Sequence, residues 1–211
     1  MIPVKVLAVQ YLSAVTPAMR AALGTDAPCL GLITTDSDDP TYIALDQATK
    51  DAQVTVAYGR SFYAGAANAS TPYAGEVIGV LAGPTPGAVR SGMESALSEL
   101  QRVGFEEVGG LPCLAHTVSR CGSFLAREAG IPEGSPIAYL IAPPLESMYA
   151  LDAALKAADV KLCKLYTPPT ETNFGGGLLT GTQSACAAAC AAFRDAVAEV
   201  AGNPNKERHY G

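Results

Sequence analysis

The sequence predicts an α/β fold built from two tandem copies of one domain of roughly 100 residues. The main observation is a repeat: the stretch from Ala44 to Val54 returns as Ala150 to Val160, with 7 identities in 11 positions at an offset of 106. Random matching at ordinary composition would give about one identity. In addition, strand-like and helix-like patterns follow one another in the same order in both halves of the 211-residue chain. Each half is long enough for its own core.

Shorter matches extend the duplication beyond this helix. Two residues recur at the same offset of 106: Ser13 and Gly24 return as Ser119 and Gly130. Three residues of a later helix recur at an offset of 100: Ala88, Ala96 and Glu99 return as Ala188, Ala196 and Glu199. We therefore predict a first domain over residues 1–105, a second over 106–202, and a flexible polar tail over 203–211.

In the first half, strands are predicted at 4–12, 30–34, 54–58 and 76–81. A short helix at 16–23 has Pro17 in its first turn, and the repeated helix is predicted to use Asp39 as its N-cap and Pro40 as its first residue. A loop rich in Ala, Gly and Ser covers 59–73, and a last helix covers 87–102.

The second half repeats this order. Strands are predicted at 111–119, 137–142, 160–166 and 178–180, and helices at 122–128, in the 150s and at 184–200. A loop over 167–177 ends in the glycines 175–177. The acidic turn before the repeated helix is longer in the first half, because Ile33 to Asp46 spans 13 positions and Ile141 to Asp152 spans 11.

Composition excludes several classes of protein. Charged residues are only 16% of the chain, which predicts much surface covered by partners, and the net charge of −6 argues against nucleic acid. No apolar run is long enough for a membrane span, and the stretch from Met1 to Leu12 makes a poor signal peptide, so we expect no membrane partner. Six cysteines without a C-x-x-C pair are interpreted as reduced cytosolic thiols. Cys186 and Cys190 are better explained as small buried side chains than as metal ligands.

Motifs for enzyme chemistry are not found. The chain lacks G-x-x-x-x-G-K-[ST], G-x-S-x-G and H-E-x-x-H, and of its two histidines one lies in the tail and the other, His116, in a predicted strand. We predict no catalytic residue, no metal site and no cofactor. The acidic turn that holds Asp36, Asp38 and Asp39 either binds a cation or caps a helix, and these alternatives stay open.

Three stretches carry a resemblance to a known family. They are Asp152-Ala153-Ala154-Leu155-Lys156-Ala157-Ala158-Asp159-Val160, Gly175-Gly176-Gly177-Leu178-Leu179-Thr180-Gly181 and Ala185-Cys186-Ala187-Ala188-Ala189, with Gly31 to Asp39 and Tyr58 to Ala66 in support. These stretches resemble the bacterial microcompartment shell proteins. The strand and helix before each core resemble the end of an ordinary shell domain moved to the front. The resemblance therefore implies two tandem circularly permuted domains of the ethanolamine-utilisation type, each a small, mainly antiparallel sheet flanked by helices.

The resemblance also implies a structural role in the shell of a compartment in the bacterial cytoplasm. Such proteins form homotrimers whose six domains mimic a hexamer and which tile with other shell proteins. By similarity, the loops 62–69 and 167–177 would surround a gated central opening for metabolites or cofactors. The candidate pore residues are Tyr63, Ala64, Gly65, Phe174, Gly175, Gly176 and Gly177. Lys50 and Lys156 would match the lysine at the edge of a tile, although each could be an ordinary solvated lysine.

A small channel for a cationic metabolite is the last implication of the resemblance. By similarity, Asp38, Glu76 and Phe105 would line this channel and bind an amine such as ethanolamine. Carboxylates suit an ammonium group, which donates three charge-assisted hydrogen bonds, and an aromatic ring adds a cation–π contact. The alternative is a tandem-domain small-molecule-binding protein or enzyme that uses Asp38 and Glu76 on a metabolite.

Overall fold

The structure, a computed structural model, describes residues 1–63 and 75–205. Within these ranges it has nine strands and six helices. In chain order they are β1 (Val6–Leu12), α1 (Pro17–Leu23), β2 (Cys29–Thr35), α2 (Asp38–Asp51), β3 (Thr55–Ser61), β4 (Val77–Gly83), α3 (Pro86–Glu99), β5 (Glu106–Val108), β6 (Leu111–Val118), α4 (Ser123–Ala129), β7 (Ile137–Ala142), α5 (Pro144–Ala157), β8 (Val160–Tyr166), β9 (Gly175–Gly181) and α6 (Gln183–Gly202).

The strands form two antiparallel sheets of the same topology. The first sheet has the order β1-β2-β4-β3, and the second has the order β5-β6-β7-β9-β8. The predicted fold class, a mixed fold with mainly antiparallel sheets and flanking helices, is confirmed. The strand β5 is a further strand that the sequence pattern did not predict.

The chain divides into two compact units. One contains Pro3–Gly104 together with Gly122–Arg127, and the other contains Met1–Ile2, Phe105–Cys121 and the chain from Glu128 onward. The segment Gly122–Arg127, which includes most of α4, therefore belongs to the unit of the first half. Sequence patterns do not reveal this exchange, because the hydrophobic period of a helix does not specify its partner.

Equivalent details repeat in both halves. The helices α2 and α5 each have 14 residues, and β3 and β8 each carry an irregularity of register, after Val56 and after Leu162. The short helices α1 and α4 are each followed by a left-handed glycine, Gly24 and Gly130, both with φ of 65°. These positions keep the offset of 106 and support the duplication.

The last helix of each half has a different offset from the one that the sequence suggests. Thr85 and Thr182 are the N-caps of α3 and α6, and their side chains accept hydrogen bonds from the backbone N–H groups of Ala88 and Ala185. This gives an offset of 97. The buried positions agree: Val89, Gly92, Met93, Ala96, Leu100 and Val103 correspond to Cys186, Ala189, Cys190, Phe193, Val197 and Val200. The offset of 100 is wrong by nearly one helical turn, within which alanines match by chance.

Three local predictions are corrected. Helix α2 begins at Asp38 with Ser37 as its N-cap, so Asp39 is not the cap and Pro40 is the third helical residue. Gly175, Gly176 and Gly177 lie inside β9, not in a loop. Two residues separate β2 from α2 and one separates β7 from α5, so the first turn is longer by one residue and not by two.

Each half has an apolar core. In the second half, α5 and α6 cover one face of the sheet, with Leu140, Leu179 and Phe193 fully buried between them. The same face of the first sheet is covered by α2 and α3, where Leu45, Leu81 and Met93 are fully buried. All six cysteines are free thiols, and Cys163 alone among them is not fully buried. No helix among the described residues is long and apolar enough to cross a membrane.

Candidate functional site

The acidic turn lies where β2 ends and α2 begins. Two fully buried threonines fix its shape: the hydroxyl groups of Thr35 and Thr41 lie 2.7 Å apart, and both donate to the carbonyl oxygen of Ser37. The Ser37 N–H in turn donates to the Thr35 hydroxyl at 3.2 Å. Buried polar groups that are satisfied in this way rigidify a turn. The hydrogen bonds of the two threonines therefore fix the turn that carries the carboxylates.

Glu76 lies next to this turn, just before β4. Its N–H donates to the carbonyl oxygen of Thr35 at 2.8 Å, and its own carbonyl accepts from the N–H of Phe62 at 3.0 Å. The preceding Gly75 has φ of 60°, and a Cβ there would lie 2.0 Å from the Thr35 carbonyl oxygen. A side chain does not fit at this position, so the glycine lets the chain bring Glu76 close to the end of β2.

The acidic groups repel one another at this end of the sheet. Burial, followed by the negative charges of Asp38 and then Asp36, raises the pKa of Glu76 to about 7. Asp38 is only 6% exposed, and its Oδ1 accepts a hydrogen bond from the N–H of Asp39. Carboxylates that destabilise one another's charge favour a bound cation. Among the described residues, no group of three or more His, Cys, Asp or Glu side chains is arranged to hold a metal ion.

The sequence pointed to Asp38 and Glu76, and the structure brings their charges together. Asp36 was named only as part of the turn, yet its charge also acts on Glu76, and its Oδ1 accepts from the N–H of Lys5 at 2.7 Å. The position of Asp36 directly after β2, opposite the start of β4, was the signal in the sequence that could have placed it beside Glu76. Phe105 belongs to the other unit, where its ring packs on Phe174 with 5.4 Å between centroids.

The candidate pore residues fall into two groups. Tyr63 is the last described residue before a gap and its side chain is 59% exposed, whereas Ala64 and Gly65 lie outside the described residues. The glycines 175–177 are buried in β9. A Cβ on Gly176 would lie 1.9 Å from the Leu140 carbonyl oxygen, and one on Gly177 would lie 2.5 Å from that of Lys164. Close strand packing is therefore a sufficient reason for these glycines.

The two candidate edge lysines differ in their surroundings. Lys156 is 75% exposed and pairs with Asp152, which is 64% exposed, and this hydrogen bond raises the pKa of Lys156. Lys50 is 24% exposed and lies 3.6 Å from the carboxylate of Asp46, whose side chain is fully buried. The ion pair of Lys156 with Asp152 is therefore exposed to solvent, whereas the equivalent pair of Lys50 with Asp46 is mostly buried.

Asp46 has a task that the sequence did not suggest. Its carboxylate accepts hydrogen bonds from the backbone N–H groups of Gly122 at 2.7 Å and Leu125 at 2.8 Å, and the Thr49 hydroxyl accepts from Ser123 at 3.1 Å. These N–H groups lie at the start of α4 and have no acceptor within the helix itself. Helix α2 thus supplies the N-terminal cap of a helix that lies in the other half of the sequence.

Comparison with known proteins agrees with this architecture. The family model described as "BMC domain" matches residues 29–109. The bacterial microcompartment shell protein EutL of Clostridium perfringens is 58% identical over 205 residues, which cover 94% of each chain. A crystal structure of EutL from the same species superposes with a TM-score of 0.95 and covers 99% of this chain and 98% of that one. A trimeric microcompartment shell protein, PduB, shares the fold with a TM-score of 0.77 at 17% identity, over 94% of this chain and 90% of that one.

Proposed function

Because the chain belongs to the EutL family of bacterial microcompartment shell proteins, we propose that three copies assemble into a tile of such a shell, with a central opening for metabolites. Its role is structural and it is not an enzyme, as the family and its named members indicate. The alternative of an enzyme that uses Asp38 and Glu76 is therefore dropped.

One observation carries the trimer: the chain contains the same domain twice. Three chains with two similar domains each give six equivalent positions around an axis, and closed symmetric assemblies are the usual state of such proteins. The PduB structure that shares this fold is described as trimeric. We also propose that the two predicted domains, 1–105 and 106–202, are the two repeating parts of this tile.

The trimer is tested by measuring its mass in solution. Light scattering coupled to size exclusion should give three times the 21.6 kDa of a single chain. Electron microscopy of the concentrated protein should show flat layers, because shell tiles meet edge to edge. A monodisperse monomer that persists at high concentration would contradict the proposal.

For the opening itself, we propose that Tyr63 and Phe174 lie on the segments that surround it, together with Ala64, Gly65 and the glycines 175–177. The support is the position of Tyr63 and Phe174: Tyr63 follows the last residue of β3, and Phe174 precedes the first residue of β9, at the equivalent end of each sheet. Tyr63→Ala should increase the passage of small solutes through reconstituted layers, while the trimer mass stays the same. Unchanged permeation would argue against a place at the opening.

We propose that Lys156 lies at the edge where neighbouring tiles meet. The same role for Lys50 has less support. Lys156 is well exposed, whereas Lys50 is mostly covered and pairs with a buried aspartate. Lys156→Asp should therefore abolish layers and leave the trimer intact, because it reverses a charge at the surface. Lys50→Gln is the matched variant that keeps a long polar side chain, and it should reduce layers less. Extended layers of Lys156→Asp would remove this residue from the edge.

The acidic site is proposed to bind a small organic cation such as ethanolamine. Asp38, Asp36 and Glu76 supply the negative charge. Binding of the cation favours the charged form of Glu76, so binding releases protons when the pH lies near or below 7, and the affinity rises from pH 6 to pH 8. This pH dependence distinguishes Glu76 from a carboxylate with an ordinary pKa.

Titration calorimetry with ethanolamine tests this site. Wild type should bind in the millimolar range, with a heat that depends on the ionisation enthalpy of the buffer at pH 7. Glu76→Gln should weaken binding and remove the dependence of the heat on the buffer. Asp38→Asn should also weaken binding, but the heat should still depend on the buffer. Glu94→Gln, at an exposed position of α3, is the control. If both acidic-site variants bind as wild type does, the site is not where the cation binds.

A further inference from the structure

Charged residues are nearly absent from the two hairpins whose tips are proposed to surround the opening. The first hairpin is formed by β3 and β4, and the second by β8 and β9. In residues 61–89 the single charged side chain is Glu76, and in residues 165–193 it is Glu171. Because Glu76 is half-buried in the acidic site, Glu171 is the one exposed charge of the two hairpins.

Glu171 lies in a short turn that the chain closes on itself before β9. The Thr170 N–H donates to the Phe174 carbonyl oxygen at 3.0 Å, and the Asn173 N–H donates to the Thr170 carbonyl oxygen at 3.0 Å. The hydroxyl groups of Thr170 and Thr172 lie 3.4 Å apart. Asn173 has φ of 66°, a left-handed conformation that asparagine tolerates in turns. The segment is therefore a closed turn that leaves the side chain of Glu171 exposed near its tip.

Both ends of this turn are anchored. At one end, the Phe174 ring packs on Phe105 with 5.4 Å between centroids. At the other end, Pro168 lies so close to Gly175 that a Cβ on this glycine would lie 3.0 Å from the proline ring. Gly175 is itself the buried first residue of β9. A turn that is anchored at both ends and closed by its own hydrogen bonds holds the charge of Glu171 at a defined place beside the sheet.

No cation offsets the charge of Glu171 within its surroundings. Among the described residues, none forms an ion pair with Glu171. No Lys, Arg or His occurs in residues 165–193, and the stretch from Phe62 to Gly75 in the first hairpin is uncharged. An exposed glutamate is ionised at neutral pH. Each chain therefore carries one uncompensated negative charge at the tip of its second hairpin.

We propose that Glu171 makes the opening of the tile selective for small cations over anions. The proposal rests on the trimer and the opening proposed above, in which three copies of this turn lie around one axis. Three carboxylates around a narrow passage attract cations and repel anions, as rings of Asp and Glu do in cation channels. The favoured solutes are ammonium compounds and other small cations, whereas carboxylates and phosphate esters of equal size are disfavoured.

The range of these charges suits a narrow passage. The Debye length is about 8 Å at physiological ionic strength, so the carboxylates act on solutes within the passage and hardly beyond it. Passages with walls of low dielectric constant also focus the field of the charges that line them. The acidic site is a separate feature, because its carboxylates lie at the end of β2 and the start of β4. Selectivity of the opening and binding at the acidic site can therefore be changed independently.

Permeation through layers of tiles tests the charge of Glu171. A layer that seals a hole in a solid support separates two unequal concentrations of tetramethylammonium acetate, whose two ions have similar mobility in water. The reversal potential gives the permeability ratio of cation to anion. At low ionic strength, wild type should favour the cation by about 5-fold, and Glu171→Gln should lower the ratio to about 1. Glu171→Lys should favour the anion, because it reverses the charge.

Two further variants separate the charge from its position. Glu171→Asp keeps the charge and should stay within about 2-fold of the wild-type ratio. Glu133→Gln removes an equal charge at an exposed position before β7, whose first residue pairs with the far end of β9, and it should leave the ratio unchanged. Circular dichroism and the trimer mass check that each variant is folded and assembled. Exclusion of a fluorescent dextran larger than the opening checks that each layer is sealed.

Salt gives an independent check. At about 1 M salt the Debye length falls to about 3 Å, so the preference of wild type should disappear. If Glu171→Gln keeps the wild-type ratio, or if wild type shows no preference at low salt, Glu171 does not select by charge, although the tile and its opening stand. Sealed wild-type layers that pass neither ion would contradict the proposed opening itself, and with it this proposal.

Discussion

Asp46 and Asp152 occupy the same place in the repeated helix, but they have opposite surroundings. Asp46 is fully buried and binds the first amides of α4, whereas Asp152 is 64% exposed and its ion pair is with Lys156, on its own helix. A second pair differs in the same way: Glu76 precedes β4 where Phe174 precedes β9, and the residues before them, Gly75 and Asn173, have φ of 60° and 66°. The backbone is therefore shared, and the side chains at equivalent positions have diverged.

This comparison shows that duplication preserves a scaffold more strictly than it preserves sites. The acidic turn has no counterpart in the second half, because prolines 143 and 144 replace the segment that holds Asp38, and Phe174 replaces Glu76. The cation site is accordingly expected once per chain.

The largest effect is expected for Gly176→Ala in β9. The added Cβ would lie 1.9 Å from the Leu140 carbonyl oxygen, and the residue has φ of 150°, which side chains disfavour. We expect a loss of about 3–5 kcal/mol in the free energy of unfolding, measured by urea denaturation. Ile78, the counterpart in β4, already carries a side chain, so Ile78→Ala should cost less. A loss below about 1 kcal/mol for Gly176→Ala would show that the strand can shift.

Asp46→Ala is expected to have the next largest effect. It leaves the N–H groups of Gly122 and Leu125 without their acceptor, and buried unpaired amides are costly. We expect a loss of about 2–3 kcal/mol, observed as a lower Tm, whereas Asp152→Ala should change stability by less than about 0.5 kcal/mol because its ion pair is exposed. If Asp46→Ala and Asp152→Ala lost equal stability, the hydrogen bonds from Asp46 to α4 would not contribute measurably to stability.

A smaller, pH-dependent effect is expected for Glu76→Gln. Burial and the charges of Asp38 and Asp36 raise the pKa of Glu76 from 4.5 to about 7 in the folded state. Between these values the unfolded chain has released its proton and the folded chain has not, so this group lowers stability as the pH rises from about 4.5 to about 7.

The variant removes that penalty. At pH 8, Glu76→Gln should be more stable than wild type by about 1–2 kcal/mol, a value reduced because the group is only half-buried. At pH 4 the two should be equally stable. Glu94→Gln, at an exposed position of α3, is the control variant in chemical denaturation. A constant difference between Glu76→Gln and wild type at every pH would show that the charge of Glu76 is not responsible.

The smallest effect is expected for Thr49→Val. The hydroxyl group accepts the Ser123 N–H, and its loss leaves this donor to the solvent at the edge of α4. We expect a loss of about 1 kcal/mol. The counterpart change, Leu155→Val, removes one methylene from a partly buried side chain that packs on the second core, and it should cost about as much through packing. The loss of stability in Thr49→Val and Leu155→Val should not depend on pH, in contrast to the stability change of Glu76→Gln.

The order of the elements was predictable, because each half has a clear hydrophobic period and because helix signals such as Pro17 in the first turn of α1 are present. The bounds of β7 and β8 agree with the prediction at both ends. The glycines 175–177 misled the prediction, since glycine is common in loops and its need in a strand depends on neighbours that the local sequence does not show.

The site was predictable in part. Acidic residues in one turn indicated Asp38, and the resemblance indicated Glu76. The capping of α4 by Asp46 was not predictable, because donor and acceptor are 76 and 79 residues apart and the aspartate belongs to a repeat whose other copy is exposed. The pKa of Glu76 also depends on an approach of β4 to β2 that Gly75 permits and that sequence spacing does not reveal.

The packing of α4 on α2 and β3 has a consequence for the strength that this contact needs. A helix linked to its binding site by the chain is present at an effective concentration in the millimolar range, so modest contacts hold it in place. The backbone hydrogen bonds that Asp46 and Thr49 accept from α4 can therefore hold this helix without the large apolar interface that two separate chains would need.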